Sequence, residues 1–81
     1  MTDYEHIIIS AVRYALGRMT YIVSLTVNYV LKDIEENKLS DSCLSVIRED
    51  IEYEPARNNL GMRCDKDDWK RLLDRIEKEL R

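Results

Sequence analysis

The sequence predicts an all-α fold, a compact bundle of about four short helices in one domain that spans residues 1–81 and assembles as a homo-oligomer. Glycine and proline are scarce, with two copies and one copy in 81 residues, whereas β-sandwiches and barrels need many glycine and proline turns. The 44% hydrophobic content is enough to support a core. The apolar residues recur at helical spacing between residues that start or stop helices.

The first predicted helix begins after Thr2 or Asp3, either of which can cap it, and runs to Leu16. Gly17 follows at the position where many helices end in the left-handed conformation. The apolar residues of this segment follow helical spacing; they are Ile7, Ile8, Ala11, Val12, Ala15 and Leu16.

The second predicted helix begins with Thr20 as its N-cap and runs to about Glu36. Residues 21–31 also alternate like one face of a strand, so a strand is the alternative here. The pattern continues smoothly into residues 32–36, and this length favours a helix. Apolar residues surround the helix almost completely, which predicts burial on every side. A subunit interface would supply that burial, and this is the basis for predicting a homo-oligomer.

A third predicted helix is capped by Ser40 and stops near Tyr53, because a proline at position 55 disfavours helix in the residue before it. Residues 55–63 are predicted as a loop. Asp65 then caps the last helix, with Asp68 at its third position, where a carboxylate complements the helix dipole. An apolar stripe follows, in which Trp69 is a core residue or, alternatively, part of a binding surface.

The charge and composition exclude several classes of partner. The net charge is −3, and no basic stripe is present, so binding to duplex nucleic acid is not expected. Residues 19–31 form the longest charge-free stretch, which is too short to span a membrane. With no signal peptide, we expect a soluble protein of the cytoplasm. The two cysteines, Cys43 and Cys64, are expected to be reduced thiols.

The residues needed for catalysis, metal binding or a cofactor are not evident. His6 is the only histidine, which excludes a histidine metal cluster and leaves a single candidate base. No glycine-rich phosphate loop exists. The acidic residues 65–68 lack the glycine and terminal glutamate of a calcium loop. We therefore predict a protein that is not an enzyme and carries no metal or cofactor.

One segment has the chemistry of an anion site, at the predicted joint between the first two helices. Arg13 and Arg18 offer forked donors that suit phosphate or carboxylate. The first-turn N–H groups that follow Thr20, and its hydroxyl, add further donors. Tyr14 and Tyr21 could stack on a base. The predicted ligand-binding residues are Arg13, Tyr14, Gly17, Arg18, Thr20 and Tyr21.

A structural role for the same residues is the competing interpretation. Arg13 and Arg18 would then pair with surface acids such as Glu49 or Glu52, and the tyrosines would fill the core with their hydroxyl groups at its edge. The sequence leaves this choice open.

Three stretches carry a resemblance to a family: residues 10–23 (SAVRYALGRMTYIV), residues 39–44 (LSDSCL) and residues 64–69 (CDKDDW). The first resembles a signature of short, uncharacterised proteins of bacteriophages and prophages, especially of Gram-positive hosts. The resemblance implies a context in the bacterial host cytoplasm rather than an activity. Small acidic phage proteins without catalytic residues frequently act by stoichiometric binding, and many counter host defences.

Two modes of binding fit this context. A sponge would sequester a small phosphorylated ligand, a nucleotide immune signal, at the arginine and tyrosine residues named above. An inhibitor of the anti-CRISPR type would instead bind a host defence protein through the acidic residues 49–54. A structural or regulatory helical module without a ligand is the third hypothesis.

Overall fold

The computed structural model of the protein describes residues 1–18, 20–58 and 66–81, and every regular element in these ranges is helical. The helices are α1 (Asp3–Ala15), α2 (Thr20–Glu35), α3 (Asp41–Asn58) and α4 (Lys66–Leu80). Helix α1 packs against α2 and α3, and α4 packs against the same two helices. The predicted four-helix architecture is confirmed, and residues 21–31 are helical rather than extended.

A capping box starts α1. The Thr2 hydroxyl accepts a hydrogen bond from the Glu5 N–H at 3.1 Å, and the Glu5 carboxylate accepts one from the Thr2 N–H at 3.0 Å. These two bonds satisfy donors that have no partner inside the helix. Thr2, one of the two predicted caps, is therefore the N-cap of α1.

The same Glu5 side chain also holds the start of α3. Its second oxygen accepts hydrogen bonds from the Ser40 N–H at 2.8 Å and from the Ser40 hydroxyl at 2.6 Å. The Ser40 hydroxyl in turn accepts from the N–H of Cys43, which confirms Ser40 as the N-cap of α3. Glu5 is 4% exposed. The Ser40 hydroxyl, followed by the backbone N–H groups of Thr2 and Ser40, lowers its pKa to about 2.

The C-terminus of α2 is closed by a Schellman motif. Asn37 adopts a positive φ of 58°, and the N–H groups of Asn37 and Lys38 bond the carbonyls of Ile34 and Asp33. The buried Asp33 carboxylate accepts a hydrogen bond from the Tyr4 hydroxyl. This bond joins the first turn of α1 to the last turn of α2, so the two helices run antiparallel.

The predicted end of α3 near Tyr53 is wrong. The helix continues through residue 55 to Asn58, so the first four residues of the predicted loop 55–63 are helical and residues 59–63 lie outside the described ranges. Proline has a φ near the helical value and removes a single N–H donor, so it weakens a helix without always ending it. Proline also disfavours a helical conformation in the residue before it, but residue 54 is helical in α3.

The core lies between the four helices and takes apolar residues from each of them. Trp69, Leu72 and Ile76 of α4 are buried, which places Trp69 in the core. Helix α4 begins one residue after Asp65, where the sequence predicts, although Asp65 itself lies outside the described residues. The other buried apolar residues are Ile8, Ile9, Val12, Ala15, Leu16, Val23, Val27, Val30, Ile34, Leu39, Cys43, Leu44, Ile47 and Ile51.

We predict that Glu5 makes the stability of the protein depend on acid pH. Because the pKa of Glu5 is lower in the folded than in the unfolded chain, its contribution is complete above the ordinary value of 4.5. That contribution is lost as the pH falls from there toward 2. Urea unfolding between pH 7 and pH 2 should therefore give Glu5→Gln a lower free energy of unfolding than the wild-type protein at pH 7. The free energy of the variant should also fall less than that of the wild type as the pH is lowered.

The exposed Glu35→Gln substitution on α2 is the matched control for this experiment. It should keep the acid dependence of the wild-type protein. An equal acid dependence in Glu5→Gln and wild type would contradict the role assigned to Glu5.

Candidate functional site

The predicted ligand-binding residues lie near the point where α1 ends and α2 begins. Residues 14–18, 20 and 21 are called here the α1/α2 corner, and Arg13 directly precedes it. Leu16 caps the end of α1, and Gly17 has a φ of 81°, which confirms the predicted left-handed position. The Arg18 N–H then bonds the Ala15 carbonyl at 3.0 Å. The prediction of Thr20 as N-cap is wrong by one residue, because α2 begins at Thr20 itself. Residue 19, which precedes α2, lies outside the described residues.

Arg18 and Tyr14 come together at this corner. The Arg18 guanidinium carbon lies over the Tyr14 ring, 4.7 Å from its centroid. A guanidinium at this distance from the face of an aromatic ring makes a cation–π contact. Tyr14 is exposed, and Tyr21, in the first turn of α2, is 75% exposed. The corner therefore presents one cation and two aromatic rings at the surface.

Arg13 is directed to a different side of the molecule. Its Nε lies 2.7 Å from the Asp50 Oδ2 of α3. Consecutive residues of a helix point about 100° apart, so Arg13 and Tyr14 cannot share one face of α1. The structural interpretation of Arg13 named Glu49 or Glu52 as its partner, whereas the acid it contacts is the neighbouring Asp50.

An acidic groove surrounds Arg13 between α1 and α3. It is an open groove of about 640 Å³, lined by Arg13, Leu16, Glu49, Asp50, Glu52 and Tyr53. Among its described lining residues three are carboxylates and one is an arginine, and Glu52 lies 3.9 Å from the Arg48 guanidinium. The net charge of these described groups is negative, which disfavours a phosphate group there. The six predicted ligand residues are thus divided, with Arg13 in the acidic groove and Tyr14, Arg18 and Tyr21 at the corner.

An exposed apolar surface was missed by the sequence analysis. Side chains of α1 and α2 form it together, and we call it the α1/α2 face. Its residues are Tyr4, Ile7, Ala11, Leu25 and Tyr29, together with Tyr14 and Tyr21 of the corner, which continue the same two stripes by their helical spacing. Five of them are 57–75% exposed. Between the helices runs a groove of about 310 Å³, lined by Tyr4, Ile7, Ile8, Ala11, Leu25, Thr26, Tyr29 and Val30. The expectation that α2 is buried on every side therefore does not hold for a single chain.

A signal for this surface is present in the sequence. The α1 residues of the face recur three or four positions apart and those of α2 every four, which places each set along one side of its helix. On α1 this stripe lies beside the core stripe instead of coinciding with it. The sequence does not show which of the two apolar stripes is buried and which is exposed. That depends on where the neighbouring helices pack, which only the tertiary structure shows.

The described residues include the Cys43 thiol and the His6 imidazole, the side chains that most often ligate a metal ion or act as nucleophile or base. In residues 1–18, 20–58 and 66–81 no three histidine, cysteine or acidic residues are grouped to hold a metal ion. Cys43 is a free, buried thiol, and its burial, followed by the nearby Glu5 charge, raises its pKa to about 11. Cys64 lies outside the described residues. His6 is exposed on α1.

Comparison with protein-family models, with curated proteins and with solved structures gave no match. None of the helices in the described part of the chain is long and apolar enough to cross a membrane. The chemistry of the site therefore has to be inferred from its own residues.

We predict a small coupling energy between Arg13 and Asp50. The Arg13 side chain is 59% exposed, and exposed ion pairs contribute roughly 0.2–1 kcal/mol because water and salt screen them. A double-mutant cycle with Arg13→Ala and Asp50→Ala, followed by urea unfolding at low and high salt, measures this energy.

The measured coupling should fall within that range and shrink at high salt. Zero coupling at low salt would contradict the pairing. A coupling energy far above the range would show that this ion pair stabilises the fold more than an exposed pair does, and would contradict the prediction.

Proposed function

We propose that this protein is a phage-type, non-enzymatic binding protein that sequesters a small phosphorylated ligand, a nucleotide signal of host immunity, at the α1/α2 corner. The biological setting rests on the resemblance of residues 10–23 to short phage proteins. The ligand class rests on the chemistry of the corner. The observation that carries the proposal is the Arg18 guanidinium held over the exposed Tyr14 ring.

Arg18 is the principal phosphate contact in this proposal. A guanidinium presents a planar fork of N–H donors that matches two phosphate oxygens. Its contact with the Tyr14 ring restricts the side chain before the ligand arrives, which lowers the entropy lost on binding. The N–H groups in the first turn of α2 add the positive end of the helix dipole beside it.

The tyrosines supply the recognition of the base. Tyr14 and Tyr21 both expose ring surface at the corner, and an aromatic ring that stacks on a nucleobase contributes roughly 1–3 kcal/mol. Gly17 and Thr20 shape the turn that brings the two helices' ends together. Arg13 joins the ligand only when its 2.7 Å contact with Asp50 opens, so its contribution is secondary.

The proposal predicts loss of ligand binding in Arg18→Ala. Removing a charged hydrogen bond of this kind costs roughly 1.5–3 kcal/mol, about tenfold or more in affinity. Native mass spectrometry with cyclic and ADP-ribose-type nucleotides identifies the ligand, and calorimetry then measures its Kd. Arg18→Lys keeps the charge but loses the fork, so its affinity should be intermediate.

Arg75→Ala is the matched control, since Arg75 is an arginine on α4 that pairs with Glu79 away from the corner. It should bind the nucleotide like the wild-type protein. The proposal would be refuted if the wild-type protein bound none of the nucleotides tested. It would also be refuted if Arg18→Ala bound the nucleotide with unchanged affinity.

A second candidate function is supported by the acidic groove. Glu49, Asp50 and Glu52 line an open groove beside the exposed ring of Tyr53. Acidic side chains with an aromatic neighbour suit a basic protein surface, such as the positively charged nucleic-acid channel of a CRISPR nuclease. In this alternative the protein inhibits a host defence protein by occupying that channel.

The alternative predicts salt-sensitive binding to a CRISPR effector nuclease. Reversing two charges in such an interface should slow association and weaken affinity by about tenfold or more at low salt. The test is biolayer interferometry of Glu49→Lys/Glu52→Lys at two salt concentrations. Glu35→Lys/Glu77→Lys, with equal charge change on exposed positions of α2 and α4, is the control. Equal binding by both double variants would remove this candidate.

A further inference from the structure

The α1/α2 face extends along α1 and α2 away from the proposed ligand corner, with which it shares Tyr14 and Tyr21 at one end. Its central residues are Ile7 and Ala11 on α1 with Leu25 and Tyr29 on α2, and none of its seven residues carries a formal charge. Ile7, Leu25 and Tyr29 are each more than half exposed. Exposing such side chains together is costly in water, because each leaves apolar area uncovered.

We propose that this face is a homodimer interface, in which the α1/α2 face of one copy packs against the same face of a second copy about a twofold axis. A self-complementary patch of this type produces a closed dimer, the commonest symmetric assembly. The proposal concerns association of the chain with itself and does not depend on the nucleotide ligand.

The exposed area matches what a dimer requires. A large aromatic side chain offers roughly 150–250 Å², so the exposed fractions of the four tyrosines leave roughly 350–590 Å² per copy. With the exposed parts of Ile7 and Leu25 added, the face is at the upper end of, or above, the largest apolar patch of a typical monomer, roughly 300–600 Å². It approaches the contribution of one partner to a standard interface, about 800 Å². In the proposed dimer, the residues that surround the face supply the rest of this interface area.

The shape and chemistry of the face favour a copy of the same chain over a charged partner. A groove of about 310 Å³ runs between the two helices, and it is lined by the small side chain of Ala11 and by the larger Ile7 and Leu25, which are both more than half exposed. One copy therefore offers both the projecting side chains and the groove that receives them. An uncharged, tyrosine-rich surface also has the composition of homodimer interface cores, which are more apolar than other interfaces.

The test is the oligomeric state of the ligand-free protein, measured by sedimentation equilibrium from about 1 to 300 μM, a range that spans typical dimer affinities. We expect a species of twice the 9.6 kDa chain mass. Leu25→Glu places a carboxylate in the interface, and Ile7→Glu does the same from α1. Because a symmetric dimer loses the contact twice, each variant should weaken dimerisation roughly 1,000-fold.

Circular dichroism checks that both variants keep their helical content, as expected for exposed positions. Ser42→Glu adds the same charge at an exposed position of α3 and should leave the dimer intact. A wild-type protein that stays monomeric over the whole range would overturn the proposal and leave the face to a different partner. A dimer that survives both Leu25→Glu and Ile7→Glu would overturn it as well, because another surface would then hold the copies together.

Discussion

One carboxylate, that of Glu5, holds together the starts of two helices, α1 and α3. Glu5 closes the capping box of α1 with one oxygen and receives the N–H and hydroxyl of Ser40 with the other, at 2.8 and 2.6 Å. A nearly buried charge is tolerated only when hydrogen bonds replace its lost water, and here four donors do so. The first turns of α1 and α3 are therefore held side by side. Because Arg13 meets Asp50 further along the same two helices, α1 and α3 run parallel.

With α3 held on one side, α1 meets α2 on the other, and its two flanks acquire different chemistry. The hydrogen bond from Tyr4 to Asp33 and the tight reversal at Gly17 align α2 antiparallel to α1. The flank toward α3 becomes an acidic groove around Arg13. The flank toward α2 becomes an apolar, tyrosine-rich face with its own groove. Helical rotation of about 100° per residue separates the two within a single short helix.

The division of α1 places different binding chemistry on different sides of one short helix. Binding proteins need rigid side chains at the surface, and aromatic residues and arginine provide most of the energy at such sites. The corner offers Arg18 held against Tyr14, the apolar face offers a surface for association, and the acidic groove offers charge. The acidic groove lies on the α3 side of α1, whereas the corner and the apolar face adjoin each other and share Tyr14 and Tyr21. An assembly through the apolar face would therefore leave the acidic groove accessible.

The sequence by itself determined the helices and most of their ends. Helical spacing of apolar residues, the Thr2 and Ser40 caps and Gly17 act through neighbours within a few residues, so their effects can be read locally. The capping-box partner Glu5 was also readable, since a glutamate three residues after Thr2 is its signature. Tertiary structure alone decided which acid holds Arg13, that Glu5 reaches Ser40, and which apolar residues of α2 stay exposed. The first two are contacts between residues 37 and 35 positions apart in the chain, and the third depends on which helices lie beside α2. Helix packing fixes all three, and local sequence patterns do not encode them.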